Sequence, residues 1–136
     1  MGTVTLHHYG FLTSSTADWL AENETFFGQP FRVFDTIKIQ SQKVDITFVE
    51  QTQGATLTEL VEPWEDNLQL HKMINKGLTV YHKGLYAAMG KFDEVVERLE
   101  EMGAHSLGAF QSEAFGNKRC VFLITRNLGM IEIIEQ

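Results

Sequence analysis

Four residues of the types that hold transition metals recur at matching distances along the chain. His82 follows His8 by 74 residues, and Glu132 follows Glu59 by 73 residues. Two imidazoles and two carboxylates suit one divalent transition ion (Ni, Co, Zn, Mn or Fe), whereas calcium and magnesium prefer shells of oxygen alone. We therefore predict that the four side chains meet at one metal ion. His7 has the opposite strand parity to His8, so we do not count it as a ligand.

Matching stretches around these residues indicate a duplicated half-domain. His7-His8-Tyr9-Gly10-Phe11 resembles Tyr81-His82-Lys83-Gly84-Leu85, and Glu59-Leu60-Val61-Glu62-Pro63 resembles Glu132-Ile133-Ile134-Glu135-Gln136. The near-equal offset of both pairs predicts a repeated module with a histidine near its start and a glutamate near its end.

The elements that must position these residues follow the same order in each half. In the first half we predict strands and one helix, namely Val4–Leu12, a helix capped by Ser15 and ended at Gly28, Phe31–Gln40, Lys43–Gln51, a turn at Gly54, and Thr56–Glu62. A connecting helix spans Glu65–Lys76. In the second half we predict Thr79–Met89, a helix from Phe92 to Gly103, His105–Phe110, a loop at Ser112–Asn117, Lys118–Thr125 and Met130–Glu135. The predicted class is α+β, with two βαβββ modules (about 4–63 and 78–136, joined by 64–77) in one domain, 1–136.

Glu132 is the most informative position because it lies in a run that is apolar on both faces. Strand alternation puts Met130, Glu132 and Ile134 on one side of the sheet, with Ile131 and Ile133 on the other. A carboxylate buried there is costly unless it is paired or bound to a metal. A single strand glutamate is usually a solvent-facing charge at a sheet edge, but recurrence at the repeat positions favours a metal site.

Composition restricts the functional class. A chain of 136 residues fits one domain at the usual size of about 100–200 residues. The net charge of −7 argues against a nucleic-acid-binding surface. A single cysteine, Cys120, fits a reducing compartment. With no apolar run near the ~18 residues of a membrane span and no signal-peptide pattern at the start, we predict a cytoplasmic protein without membrane partners.

Five stretches resemble the vicinal oxygen chelate superfamily, in particular its glyoxalase I and methylmalonyl-CoA epimerase-like branch. They are His8-Tyr9-Gly10-Phe11, Thr58-Glu59-Leu60-Val61-Glu62-Pro63, Tyr81-His82-Lys83-Gly84, Gly116-Asn117-Lys118-Arg119-Cys120-Val121-Phe122-Leu123 and Gly129-Met130-Ile131-Glu132-Ile133-Ile134-Glu135. The resemblance implies a glyoxalase/bleomycin-resistance-type fold, in which the two βαβββ modules form a cupped mixed sheet around a metal. It implies His8, Glu59, His82 and Glu132 as the metal ligands. It also implies Glu132 as the catalytic base and Asp45 as a second carboxylate, one carbon shorter than the glutamate usual there.

Three functions follow from this resemblance. The first is a glyoxalase-type lyase or isomerase that moves a proton between adjacent carbons of a chelated α-hydroxycarbonyl or hemithioacetal via an enediolate. Glu59 favours it, because the epimerases usually have glutamine there. The alternatives are a methylmalonyl-CoA epimerase-like thioester epimerase and a metal-free small-molecule-binding protein. We expect a small-molecule substrate (a thiol adduct or an acyl thioester) contacted by Arg119 and Lys118, and a possible homodimer.

Overall fold

The computed structural model of the chain describes residues 3–51 and 57–136. Its helices are α1 Thr16–Phe27, α2 Leu68–Asn75 and α3 Phe92–Glu101. Its strands are β1 Val4–Leu12, β2 Phe31–Val33, β3 Ile37–Ile39, β4 Val44–Gln51, β5 Leu57–Pro63, β6 Val80–Ala87, β7 His105–Ser112, β8 Lys118–Ile124 and β9 Met130–Ile134. The predicted turn at Gly54 and the first residue of the predicted strand Thr56–Glu62 lie outside the described residues. In the described ranges no helix is both long and apolar enough to cross a bilayer.

The strands pair in a mixed parallel and antiparallel pattern, and the predicted α+β class is confirmed. Residues 9–51 and 57–81 make one compact unit, with strand order β2-β4-β5-β1 and with β3 beside β4. Residues 3–8 and 82–136 make the other, with strand order β6-β9-β8-β7. In each unit the first strand pairs in parallel with the last, and the remaining pairs are antiparallel. This shared connectivity is the counterpart of the predicted repeat, while the single-domain organisation stays a prediction.

The predicted ends of α1 are both confirmed. The Ser15 hydroxyl accepts a hydrogen bond from the Asp18 N–H at 3.1 Å, which satisfies one donor of the first turn. Gly28 ends the helix in the left-handed region at φ 69°, where glycine has no steric penalty.

Three predicted elements differ from the structure. The predicted loop Ser112–Asn117 contains a 3₁₀ helix, Glu113–Phe115, and its first residue ends β7. The predicted strand Phe31–Gln40 is divided into β2 and β3, because three residues lie between Val33 and Ile37 while two lie between their partners Val49 and Ile46 on β4. One extra residue on one strand of a pair interrupts the ladder, as in a β-bulge. The connecting helix begins at Leu68 because the Asn67 side chain caps it.

The helix α3 covers one face of β6, β8 and β9, and this face forms an apolar core. Its buried members are Ala87, Phe92, Val95, Val121, Leu123, Ile131 and Ile133. We call this face the helix face and the opposite one the site face. Since Ile131 and Ile133 belong to the helix face, strand alternation directs Glu132 to the site face, as the sequence predicted.

Candidate metal centre

Three of the four predicted ligands meet on the site face. His8 of β1, His82 of β6 and Glu132 of β9 retain 1%, 4% and 3% of their accessible surface. The Nε2 atoms of the two histidines lie 2.9 Å apart. Glu132 Oε1 lies 3.5 Å from His8 Nε2 and 3.4 Å from His82 Nε2. We call these three residues the site cluster.

A glycine makes room for the imidazole of His8. Gly84 lies two residues after His82 on the same face of β6 and pairs in register with Glu132 of β9. A Cβ atom at Gly84 would overlap the His8 ring. The glycine of the His-x-Gly motif is therefore required for space: Gly84 does not lie in the left-handed region.

Aromatic rings surround the site cluster. Phe115 stacks on the His8 ring with centroids 5.8 Å apart, and Phe122 meets the His82 ring edge-on at 5.1 Å. Phe110 in turn stacks on Phe122 at 5.7 Å. Apolar walls lower the local dielectric, so charges at the cluster interact more strongly than they would in water.

The carboxylate of Glu132 is kept ionised by its neighbours. Burial by itself would raise the pKa of Glu132, but the adjacent imidazoles of His8 and His82 outweigh burial and lower the pKa below its ordinary value. An ionised carboxylate is the form that ligates a cation.

The separations within the site cluster fit the donor atoms of one transition ion. Ligand atoms about 2.0–2.1 Å from a common ion lie about 2.9 Å apart at a right angle and about 3.4 Å apart at the tetrahedral angle. The observed separations are 2.9, 3.4 and 3.5 Å. Among the described residues Glu132 Oε1 has no hydrogen-bond partner, a costly state for a buried oxygen that a bound cation would relieve.

Glu59, the fourth predicted ligand, is also buried, with 3% of its surface exposed. It lies on β5 in register with Phe48 of β4 and Gly10 of β1. Glu59 belongs to the other compact unit, and its place beside the site cluster stays a prediction.

Asp45, the predicted second carboxylate, does not share a sheet face with Glu59. Phe48 is the register partner of Glu59 and therefore lies on the same face, whereas Asp45, three residues earlier on β4, lies on the opposite face. Its carboxylate accepts a hydrogen bond from Trp64 Nε1 at 2.9 Å and pairs with Lys38 at 3.3 Å. These contacts give Asp45 a structural environment away from Glu59.

The two predicted substrate-binding residues occupy different faces of β8. Arg119 lies on the helix face, where it pairs with Asp93 at 3.1 Å and with Glu135 at 2.9 Å. Its guanidinium also lies 4.2 Å from the centre of the Phe92 ring. Lys118 is exposed and has the strand parity of the site face. Arg119 thus contacts α3 and Glu135, which directly follows β9, while Lys118 lies on the side of the site cluster.

His7 was assigned to the opposite side of β1 from His8, and that assignment is wrong. His7 Nδ1 lies 2.8 Å from His8 Nδ1, within hydrogen-bond distance. Burial, together with the nearby His8, lowers the pKa of His7 to about 4, so this ring is neutral at physiological pH. The sequence signal was the His-His pair itself, but strand alternation argued against the contact.

Comparison with known proteins establishes the fold. No family model matches the sequence, and no curated protein matches it significantly. A hypothetical protein from Bacillus halodurans C-125 has a structure with a TM-score of 0.79 and 20% identity, over 98% of this chain and 95% of that one. Methylmalonyl-CoA epimerase from Mycobacterium tuberculosis has a TM-score of 0.74 and 16% identity, over 96% of this chain and 86% of that one.

A third structure is a methylmalonyl-CoA epimerase variant from Streptomyces coelicolor in complex with 2-nitronate-propionyl-CoA. Its TM-score is 0.72 and its identity 18%, over 97% of this chain and 94% of that one. These structures confirm the fold that the resemblance implied. The fold is of the glyoxalase/bleomycin-resistance type and matches that of the methylmalonyl-CoA epimerase structures.

Proposed function

We propose that this protein is a metal-dependent isomerase that moves the proton on the carbon next to a thioester carbonyl, as a methylmalonyl-CoA epimerase does. The observation that carries the proposal is the buried site cluster, with two imidazole nitrogens 2.9 Å apart beside an ionised carboxylate. The choice of a thioester is supported by structures of the same fold that hold 2-nitronate-propionyl-CoA or methylmalonyl-CoA. We therefore prefer the epimerase function to the glyoxalase function, which the sequence alone had favoured.

The proposed ligands of the ion are His8, Glu59, His82 and Glu132, and the ion is a divalent metal of the Ni, Co, Zn, Mn or Fe series. When bound, such an ion polarises a carbonyl oxygen and stabilises the negative charge that develops on it. The aromatic rings beside the site cluster exclude water from the reacting carbon and so strengthen these electrostatic effects.

Glu132 is the proposed base. Its carboxylate is ionised at neutral pH, so it can accept a proton from the carbon next to the carbonyl and return it. A mechanism with two bases would need a second acid on the opposite side of that carbon. Because Asp45 does not share a sheet face with Glu59, it is not assigned as that acid. Glu132 removes the proton from one side of the carbon, and inversion then requires that a donor other than Asp45 deliver a proton from the other side.

A second candidate function is proton transfer in a hemithioacetal by a glyoxalase-type enzyme. The observation that favours it is the buried carboxylate of Glu59, where the epimerases usually have an amide. The glyoxalase-type reaction moves a proton between two adjacent carbons, and the epimerase reaction removes and replaces the proton of one carbon. The two candidate functions therefore differ in the substrate but share the proposed base.

Deuterium incorporation distinguishes the two functions. Cobalt-loaded protein in deuterated water is incubated with methylmalonyl-CoA or with the methylglyoxal–glutathione adduct, and deuterium at the carbon is measured by mass spectrometry. We expect exchange in the thioester. Exchange in the adduct alone would favour the glyoxalase-type function, and exchange in neither, with a small molecule still bound, would favour a metal-free binding protein.

Two substitutions, one on β9 and one at the residue that follows it, test the base. Glu132→Gln should lower the exchange rate by at least about 10²-fold, the effect of a lost general base. Glu135→Gln is the control, because Glu135 points away from the site cluster and contacts Arg119, and its rate should stay within about twofold of the wild type. Equal losses in both variants would contradict the assignment of the base.

A further inference from the structure

We infer that His7 is a positioning residue that holds His8 in the orientation and tautomer needed at the metal centre. The inference rests on the proposed metal site. Its main observation is the 2.8 Å distance between the Nδ1 atoms of the two rings. His7 is not one of the proposed ligands, so its role would be exerted through His8.

The two nitrogens of the His8 ring face different partners. Nδ1 faces His7, while Nε2 lies 2.9 Å from His82 Nε2 and 3.5 Å from Glu132 Oε1. A neutral imidazole carries one proton, and the nitrogen that ligates a metal must present its lone pair. If Nε2 faces the ion, then the proton of His8 lies on Nδ1. The Nδ1–H group of His8 then donates a hydrogen bond to Nδ1 of His7.

The His7 ring is held in place by aromatic contacts. Tyr86 of β6 meets it at 4.7 Å between centroids, and Phe115 meets it at 5.6 Å, both in edge-on arrangements. Phe115 also stacks on His8. The acceptor nitrogen is thus fixed relative to the donor, which a mobile surface histidine would not provide. The matching position in the second half of the chain is Tyr81, so the sequence repeat does not duplicate this histidine pair.

Three variants separate the hydrogen bond from the shape of the side chain. His7→Phe keeps a ring against Tyr86 and Phe115 but cannot accept the hydrogen bond from His8. His7→Asn places a side-chain oxygen where Nδ1 of His7 lies, so it restores an acceptor. His105→Phe is the control, since His105 is an exposed histidine on β7.

The first measurement is the affinity of chelator-treated protein for Co²⁺, by competition with a chromogenic chelator. Loss of a hydrogen bond to a ligating histidine typically weakens metal binding about 10- to 100-fold, and we expect this loss for His7→Phe. His7→Asn should recover to within about threefold of the wild type, because it restores the acceptor. The His105→Phe control should bind as the wild type does.

The second measurement is the tautomer of His8, from the nitrogen chemical shifts of the imidazoles in ¹⁵N-labelled, metal-free protein. In the wild type we expect the proton on Nδ1 and a lone pair on Nε2. In His7→Phe we expect a larger fraction with the proton on Nε2. The wild-type spectrum needs no variant, so it tests the inference even if a substitution prevents folding.

The outcomes separate the two claims. If wild-type protein binds Co²⁺ and His7→Phe binds it equally well, the role of His7 is overturned while the metal site stands. A wild-type spectrum with the His8 proton on Nε2 also overturns it. If the wild type binds no Co²⁺, the proposed function fails and the role of His7 toward a metal fails with it.

Discussion

At Glu132, burial and neighbouring charges act on the carboxylate in opposite directions. Removal of a carboxylate from water disfavours its charge, yet the two imidazoles beside it hold its pKa below the ordinary value. The three side chains are almost wholly buried, and their nitrogen and oxygen atoms lie within 3.5 Å of one another. A polar group of this kind inside an apolar sheet face contributes little stability without a ligand, which is the usual condition of a binding site.

Gly84→Ala is expected to destabilise the metal-free protein by about 1–3 kcal/mol, as over-packing of a filled interior does. The new Cβ atom would overlap the imidazole of His8. In a His8→Ala background the same substitution should cost close to nothing, because the obstructing ring is gone. Urea unfolding of the four proteins gives the coupling energy of this double-mutant cycle, and additive effects would contradict the steric account.

The lowered pKa of His7 predicts a pH-dependent stability. Burial and His8 lower that pKa from 6.5 to about 4 in the folded state. Between these values the unfolded chain binds a proton that the folded chain does not, so the free energy of unfolding falls as the pH falls from 6.5 toward 4. Since the ring is half-exposed, we expect an effect of about 1–2 kcal/mol after allowance for solvent screening.

His7→Asn isolates this contribution, because asparagine does not titrate in the window. Urea unfolding of chelator-treated wild type and variant is compared at pH 7, 5.5 and 4.5. The variant should lose less stability than the wild type on acidification. Parallel losses in the two proteins would show that His7 titrates normally in the folded state.

At the scale of elements, β8 and β9 each serve two purposes through strand alternation. On the helix face Ile131 and Ile133 fill the core under α3, and on the site face Glu132 meets the two histidines. Arg119 of β8 belongs to the helix face and ties this strand to Asp93 of α3. The same strands thus provide the contacts that stabilise the unit of residues 3–8 and 82–136 and the glutamate proposed as the base.

Arg119→Gln is therefore expected to lower the melting temperature and to leave the KM for the substrate unchanged. The substitution removes ion pairs with Asp93 and Glu135 and the contact with the Phe92 ring, all on the helix face. Lys118→Gln changes the neighbouring residue, which lies on the site face, and is the variant with which Arg119→Gln is compared. A raised KM with an unchanged melting temperature in Arg119→Gln would instead support the substrate contact predicted from the sequence.

The placement of Glu132 could be read from the sequence, whereas that of Asp45 could not. Glu132 lies in a strand apolar on both faces, so alternation within that one strand was sufficient. The face of Asp45 relative to Glu59 depends on the register between β4 and β5, and a shift of one residue would reverse it. The register pairs Phe48 with Glu59, a fact that no pattern within a single strand determines.

The same limit explains the other differences. The break in the predicted strand Phe31–Gln40 arises from its pairing with β4, which accommodates one extra residue between β2 and β3. His7 is held against His8 by Tyr86 and Phe115, which are distant in sequence. Local signals such as the Ser15 cap and the Gly28 terminus were predicted correctly because their partners lie within a few residues.

At the scale of the whole molecule, the compact units do not coincide with the halves of the sequence repeat. Residues 3–8 belong with residues 82–136, and Thr3 contacts Ala88 and Arg98 through hydrogen bonds of 2.8 and 3.0 Å. The site cluster lies entirely within this unit, although His8 and His82 are 74 residues apart. An ion bound to both histidines would therefore join the start of the chain to its second half.

Removal of metal should for this reason destabilise the folded protein. A ligand that binds only the folded state adds about 2.7 kcal/mol at a free concentration of 100 times its Kd, which corresponds to a melting temperature higher by on the order of 10 °C. We expect chelator-treated protein to melt lower and Co²⁺ to restore the difference in a concentration-dependent manner. In His82→Ala and Glu132→Gln the shift should shrink, because each loses a proposed donor, while His105→Phe should respond as the wild type does. A shift of equal size in the two donor variants would place the cobalt site elsewhere on the protein and remove the basis for metal-dependent catalysis at the site cluster.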